Sequence, residues 1–330
     1  MEQDKKHSKA YTGSHAKKRT NGVYYTTNEN PFTLKPFMVW ARRINLKNLE
    51  TLEPFAGENH IIRMLRDAGF CKSFKSYDIS PKDPDVEKKD TLKRFPKNFK
   101  VCITNPPWLT NYSAKRHRIA FPEIEYDNIY KHCLELALKN CENVGFIIPG
   151  TFLTWCMREP KFTERLDSVI FINKELFTET DNPVCLALFR KENVKDTKIY
   201  NDEKLLGTLK KLGSHMPPKV KNGKKIVFNS DKGNLGLICI DNTKEPTIRF
   251  CPPSEITRTM KVSDRLLTKI KVDVDDSDQA IEILNTRLET IRDETSDIFF
   301  SPFKGLRKDG KYRRRVDFIF IRNLINSVSV

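Results

Sequence analysis

A short apolar run, Val101-Cys102-Ile103-Thr104, ends abruptly in Asn105-Pro106-Pro107-Trp108. The run is too short for a helix and reads as a buried strand. Two consecutive prolines remove two backbone donors and cannot continue a sheet ladder, so the strand must stop there and open into a turn. That turn carries chemistry as well as geometry. It leaves carbonyls rigidly aimed, with a side-chain amide before them and a flat ring after them. Such a cluster suits a planar ligand bearing an NH2 group: the Asn105 side-chain oxygen and the Pro106 carbonyl accept its protons, and Trp108 stacks on its face. The plainer alternative is a strand closed by a proline turn, and the surroundings of the motif decide between the two.

The residues upstream favour a ligand. Thr51-Leu52-Glu53-Pro54-Phe55-Ala56-Gly57-Glu58-Asn59 reads as a strand, a tight acid-Pro-x-small-Gly turn, and then a helix through Ile61-Ile62-Arg63-Met64-Leu65. Small residues at a helix N-terminus let the backbone approach a ligand closely. Further on, Ser76-Tyr77-Asp78-Ile79-Ser80 ends a second strand with an acid. In nucleotide-binding α/β sheets an acid at that place hydrogen-bonds ribose hydroxyls. Lys89-Asp90-Thr91 follows where another loop reaches a ligand's base edge. Singly, an Asp after a strand is usually a turn residue. The order of these segments, all ahead of Asn105, is what points to a nucleotide-like ligand.

With these segments in this order the chain resembles the S-adenosylmethionine-dependent amino-methyltransferases that act on adenine N6 in DNA. Gly22-Val23-Tyr24-Tyr25-Thr26-Thr27 is similar to the family's Tyr-Tyr-Thr-Pro motif, which implies that Tyr25 and Thr26 border the methionine end of the cofactor. Glu53, Pro54, Phe55, Ala56 and Gly57 match the cofactor loop. Asp78, followed by Ile79, matches the ribose acid, and Asp90 the acid near the cofactor adenine. Asn105, Pro106, Pro107 and Trp108 match the catalytic motif, with Asn105 also bordering the cofactor. The motif order is similar to that of the gamma group, typical of type II restriction–modification methylases. The likeness covers residues 20 to 190 and departs from the family at two places: Thr27 stands for Pro, and Asn59 for the loop's second Gly. Asn tolerates positive φ better than most residues, so the second change is mild.

The resemblance implies S-adenosyl-L-methionine as cofactor, double-stranded DNA as partner and no metal; it leaves open whether a cognate restriction endonuclease acts separately in the same system. It also implies a second aromatic ring from the loop before the last strand, for which Phe177 is the candidate; core packing is the competing role for that residue. The chemistry of adenine explains the motif. The N6 lone pair is delocalised into the ring, so the amine is a weak nucleophile. Two acceptors that bind both N6 protons draw the nitrogen toward tetrahedral geometry and stabilise the charge that develops. The remainder of the effect is positioning for in-line transfer. An adenine inside a duplex has to be flipped out to reach such a site. Three other readings use the same motif: an RNA adenine methyltransferase, a protein-glutamine N5 methyltransferase, and a non-catalytic DNA-binding protein on a methylase fold.

Charge narrows the partner. The 330 residues carry 59 Lys and Arg against 43 Asp and Glu, a formal charge of +16, which attracts polyanions. The surplus is uneven. Lys210 to Lys225 holds six lysines and no acid, and Lys304 to Arg322 holds eight basic residues against Asp309 and Asp317. Lys219, Lys221, Lys224, Arg313, Arg314 and Arg315 are therefore the candidate DNA contacts, with a solvated basic surface as the bland alternative. Asp273 to Asp297 runs the other way, with nine acids, and reads as an amphipathic helix turned away from DNA.

The architecture expected is α/β: a Rossmann-like, doubly wound methyltransferase sheet with a smaller C-terminal α+β recognition domain. Helices are expected around Phe37 to Ala41 and from Tyr126 to Leu138, and strands at Val144 to Ile148, Val169 to Ile172, Val184 to Phe189, Gly236 to Ile240 and Val316 to Ile321. Residues 1–20 form a basic N-terminus, 21–194 the catalytic domain and 195–330 the recognition domain. No apolar run is long enough to span a bilayer. Met1 to Arg19 lacks the apolar segment of a signal peptide. The eight cysteines show no Cys-x-x-Cys spacing and read as reduced core residues. These features fit a cytoplasmic monomer. His60, just after the cofactor loop, reads as a helix-surface residue.

Overall fold

The computed structural model describes residues 30–173 and 183–329, which fall into two compact units. Among the described residues the first unit holds 30–149, 165–173 and 185–194, and the second holds 150–164, 183–184 and 195–329. The break after 194 coincides with the shift in composition. Nothing in the composition marks 150–164 as grouping with the second unit.

The first unit is built on strands β1 (Glu50–Glu53), β2 (Ser73–Asp78), β3 (Val86–Lys88), β4 (Phe99–Thr104), β5 (Cys141–Pro149), β6 (Leu166–Ile172) and β7 (Val184–Phe189). They lie in the order β3-β2-β1-β4-β5-β7-β6. The pairs β2–β3, β1–β2, β1–β4 and β4–β5 are parallel, with Leu52 opposite Cys102 and Thr104 opposite Phe146. The chain winds outward from β1 through β2 to β3 and then returns to β4 on the other side of β1. This is the Rossmann-like, doubly wound sheet, and its strand order reverses between β1 and β4. In such sheets ligands settle beyond the carboxyl ends of the strands at that switch point.

Burial on both faces explains the apolar runs Val169 to Ile172 and Val184 to Phe189. Every residue of β6 and β7 is buried. Helix α1 (Lys35–Arg43) turns Phe37, Trp40 and Ala41 inward at helical spacing, and the Trp40 indole donates to the Phe189 carbonyl at 3.3 Å. Helix α2 (His60–Asp67) follows β1, α3 (Asn111–His117) follows the proline turn, and α4 (Ile129–Asn140) precedes β5. The Asn128 side chain caps α4 by accepting from Tyr130 N, satisfying a donor the helix start leaves open.

The second unit is α+β. Strands β8 (Lys198–Asn201) and β9 (Lys204–Thr208) form an antiparallel pair. Strands β10 (Val227–Phe228), β11 (Leu235–Ile238), β12 (Arg249–Cys251) and β13 (Leu267–Lys271) form an antiparallel sheet in the order β10-β13-β11-β12. Strands β14 (Ser301–Leu306) and β15 (Tyr312–Arg315) form a separate hairpin. Helices α5 (Phe152–Cys156), α6 (Pro160–Thr163) and α7 (Leu209–Gly213) are short, and α8 (Ser277–Thr295) and α9 (Phe318–Ser327) are the main ones. Leu237, Phe250, Leu284, Leu288, Ile321 and Leu324 meet in its core. The acidic stretch is the amphipathic helix expected from its sequence, started by Asp276, whose carboxylate accepts from Asp278 N and Gln279 N. Val316 to Ile321 is not a strand: Asp317 accepts from Phe320 N at 2.7 Å and starts α9 there. No helix among the described residues is long and apolar enough to cross a membrane. All eight cysteines are buried with free thiols.

Candidate active site

The turn after β1 is held by the strand beside it. Ala56 N donates to the Tyr77 carbonyl at 2.9 Å. The two oxygens of Asp78 accept from Gly57 N at 2.9 Å and from Ser80 N at 2.8 Å. Gly57 has φ 53° and Asn59 φ 61°; both sit in the left-handed region, and Asn is among the few side chains that enter it at modest cost. Asn59 also gains a partner that Gly would lack, since its Oδ1 accepts from the Ser76 hydroxyl at 2.8 Å. Asn in place of the second loop Gly therefore keeps the backbone shape and adds a tie to β2. On the far side, Thr91 donates to the Pro54 carbonyl at 2.8 Å, and Lys89 N donates to the Asp78 carbonyl at 2.9 Å. The three loops thus brace one another.

They enclose a cavity of about 350 Å³, at the small end of the usual range for ligand pockets. Phe55, Ala56, Gly57, Asp78, Ile79, Asp90, Asn105, Pro106 and Pro107 line it. These are nine of the residues expected from sequence, drawn from four separate segments. Ile79 is 65 % exposed, an apolar side chain placed where a flat ring could cover it. His60, read from sequence as a helix-surface residue, instead lines the cavity, as do Ser80, Lys82, Lys89 and Thr91. No signal in the sequence places His60 there: it is the first residue of α2, directly after the left-handed Asn59.

Three expected residues lie elsewhere. Pro54 is buried, and only its carbonyl is used, by Thr91. Trp108 is 7 % exposed and does not line the cavity; burial of so large a ring is favourable, and in this conformation it is not a free stacking surface. Glu53 is wholly buried behind the wall. Its Oε1 accepts from Phe55 N at 3.1 Å and from the Thr104 hydroxyl. Its Oε2 has no partner among the described residues. Burial raises the carboxyl to about 8; the bonds from Thr104 and Phe55 oppose the rise, and the nearby Asp78 adds to it. The group is therefore mostly neutral at physiological pH. Tyr25, Thr26 and Phe177 lie outside the described residues.

The basic candidates belong to the second unit. Lys219, Lys221 and Lys224 are exposed on the loop before β10. That loop is tied to α9: Lys224 N donates to Asn326 Oδ1 at 2.6 Å, and Arg322 donates to the Ile226 carbonyl at 3.2 Å. On the β14–β15 hairpin the guanidinium groups of Arg313 and Arg315 both lie over the Phe303 ring, at 5.2 and 5.6 Å. Arg314 points the other way and donates to the Phe300 carbonyl. Burial pulls its pKa down. The alternation of a strand separates it from its neighbours, so only Arg313 and Arg315 share a face. The hairpin is anchored by a buried ion cluster: Asp241, fully buried, accepts from both end nitrogens of Arg292 at 3.0 and 2.9 Å and from Arg307 at 3.0 Å.

Neither a protein-family model nor a curated protein sequence matches the chain. Among solved structures it is similar to the methyltransferase subunit of a type I restriction–modification system from Streptococcus thermophilus, at 12 % identity and TM-score 0.38, over 62 % of this chain and 50 % of that one. It is similar to the M protein of the type I restriction enzyme EcoKI at 10 % identity and TM-score 0.37, over 83 % of this chain and 71 % of that one. It is also similar to the DrdV–DNA complex, at 12 % identity and TM-score 0.43, over 58 % of this chain and 29 % of that one. The chain thus spans about half the length of the Streptococcus subunit. These likenesses are remote, and what the site can do is read from its own strand order and cavity.

Proposed function

We propose that the chain is an S-adenosylmethionine-dependent DNA methyltransferase acting on adenine N6, serving a restriction–modification system. One observation carries this reading: Asn105, Pro106 and Pro107 line the same cavity as Gly57, Asp78 and Asp90, at the switch point of the sheet. A proline turn of purely structural use has no reason to open into a pocket shared with an acid at the end of β2.

The residues fit the cofactor. Asp78 keeps lone pairs beyond those taken by Gly57 N and Ser80 N and would hold the ribose. Asp90 would face the adenine edge, and the exposed Ile79 its ring. Gly57, lacking a side chain, lets the backbone come close. When bound, the cofactor supplies the methyl group as an activated sulfonium electrophile. The chain's own part is to orient and to polarise. Asn105 and the Pro106 carbonyl accept the two N6 protons, stabilising positive charge as it forms on nitrogen, and the pocket holds the base away from competing water. The basic surface of the second unit, through Lys219, Lys221, Lys224, Arg313 and Arg315, binds the duplex from which the adenine is flipped.

The test is to incubate the purified chain with methyl-labelled S-adenosylmethionine and unmethylated duplex DNA, with RNA and release-factor protein in parallel, and to identify the labelled product. N6-methyladenine in DNA is expected. Label appearing only in RNA or in glutamine would replace this reading with one of its rivals, and cofactor binding without transfer would favour a non-catalytic role.

A further inference from the structure

We propose that Glu53 is a counter-ion generated on demand: it ionises when the cationic methyl donor enters the cavity, so that donor binding expels one proton to solvent. The inference rests on the assignment of the cavity to S-adenosylmethionine.

The geometry supplies the argument. Glu53 spans the ends of the two strands that flank the switch point, because its Oε1 accepts from Phe55 N beyond β1 and from the Thr104 hydroxyl at the end of β4. Phe55 lines the cavity, and Thr104 immediately precedes Asn105, which also lines it. Both bonds are ones a carboxylate accepts at least as well as a neutral acid does. Oε2 is buried and has no partner among the described residues. Glu53 is thus wired for its charged form while its burial disfavours that form. The groups facing it do not help: Asp78 at the end of β2 repels a charge there, and the Cys102 thiol on β4 is held neutral by burial. On the cavity wall stand Lys82, Lys89, His60 and Asp90; Lys89 extends over the Tyr77 ring, and neither lysine acts on the Glu53 carboxyl. A sulfonium in the cavity is the missing opposite charge, and an opposite charge nearby favours ionisation. The O–H bond of the acid breaks, its electron pair stays on Glu53, and the proton leaves to the buffer, so the site takes up one positive charge and loses one.

A consequence is discrimination between donor and product. The thioether product lacks the sulfonium charge, so it holds Glu53 ionised less well, and product departure is favoured by re-protonation.

The experiment is titration calorimetry on the full chain in phosphate and in Tris, whose ionisation enthalpies differ, from about pH 6 to about pH 9 across the titration range of Glu53. We expect nearly one proton released per S-adenosylmethionine bound near neutral pH, falling toward none above the value of about 8. Affinity should rise by up to about tenfold per pH unit below that value. S-adenosylhomocysteine should release fewer protons. Glu53→Gln should bind with no proton release and with that pH dependence gone. Binding to the wild-type chain without proton release overturns the inference alone, and this arm decides by itself should the variant not fold. Proton release that persists in Glu53→Gln also overturns it. Failure to bind S-adenosylmethionine at any pH overturns the assignment of the cavity and this inference with it.

Discussion

Replacing Glu53 by Gln should make stability respond to pH differently, without any ligand present. In the folded chain burial raises this carboxyl from 4.5 to about 8, whereas in the unfolded chain it titrates near its ordinary value. Between those two values the folded state binds more protons than the unfolded one, so this group's contribution falls as pH rises. Below 4.5 both states are neutral and no penalty exists; above 8 both are charged and the penalty is complete. A shift of that size corresponds to at most about 5 kcal/mol, at 1.36 kcal/mol per unit. Gln keeps the oxygen that accepts from Phe55 N and Thr104, but it puts an NH2 where Oε2 has no partner. The neutral acid already puts an unpartnered O–H there, so the two proteins should be of similar stability near pH 5, and the variant should exceed the wild type increasingly as pH rises, by at most about 5 kcal/mol near pH 9. Urea unfolding of the cofactor-free chain across this range, with hydrogen exchange of the β1 and β4 amides to isolate the first unit, measures the difference. A stability gap that stays constant with pH would refute the reasoning, since it would mean Glu53 titrates alike in both states.

Other expectations follow from named contacts. Asp78→Ala removes the acceptor for Gly57 N and Ser80 N as well as the proposed ribose partner, so S-adenosylmethionine affinity should fall by about 1–3 kcal/mol by calorimetry; unchanged affinity would make Asp78 a turn residue only. Asp241→Ala leaves Arg292 and Arg307 buried without their shared carboxylate and should destabilise the second unit by about 3–5 kcal/mol in denaturant unfolding, with the first unit's exchange pattern intact. Arg313→Glu and Arg315→Glu should weaken duplex binding and flatten its log-log salt dependence by about one unit per lost phosphate contact, leaving cofactor affinity unchanged. Arg314→Glu should lower stability, because that side chain faces inward, and Arg313→Glu should share part of that loss, because its Nε donates to the Asp241 carbonyl at 2.8 Å.

Much of the first unit was legible because strands buried on both faces carry apolar runs such as Val144 to Ile148 and Val184 to Phe189, and because a turn that needs left-handed backbone advertises itself through Gly57 and Asn59. The prolines after Thr104 marked where β4 had to end. What was hidden depends on direction rather than identity. Arg313, Arg314 and Arg315 read alike in sequence, yet strand alternation sends the middle one inward. His60, the first residue of α2, lines the cavity without a signal in the sequence. Val316 to Ile321 has apolar residues that fit either period, and the capping carboxylate of Asp317 tips it to a helix. Trp108 carries both stacking and packing potential, and in this conformation packing wins. Grouping of 150–164 with the second unit rests on long-range contacts that no local pattern announces.

The central claim is that Asn105 acts on the substrate amine within a cavity that also holds the methyl donor. Single-turnover methyl transfer to duplex DNA by Asn105→Ala, with S-adenosylmethionine affinity measured on the same sample, tests it most directly. Loss of one preorganised group that stabilises the transition state should cost about 100-fold or more in rate, while the donor still binds through Asp78 and the β1 turn. Near-normal transfer by the variant would contradict the claim, whatever its cofactor affinity.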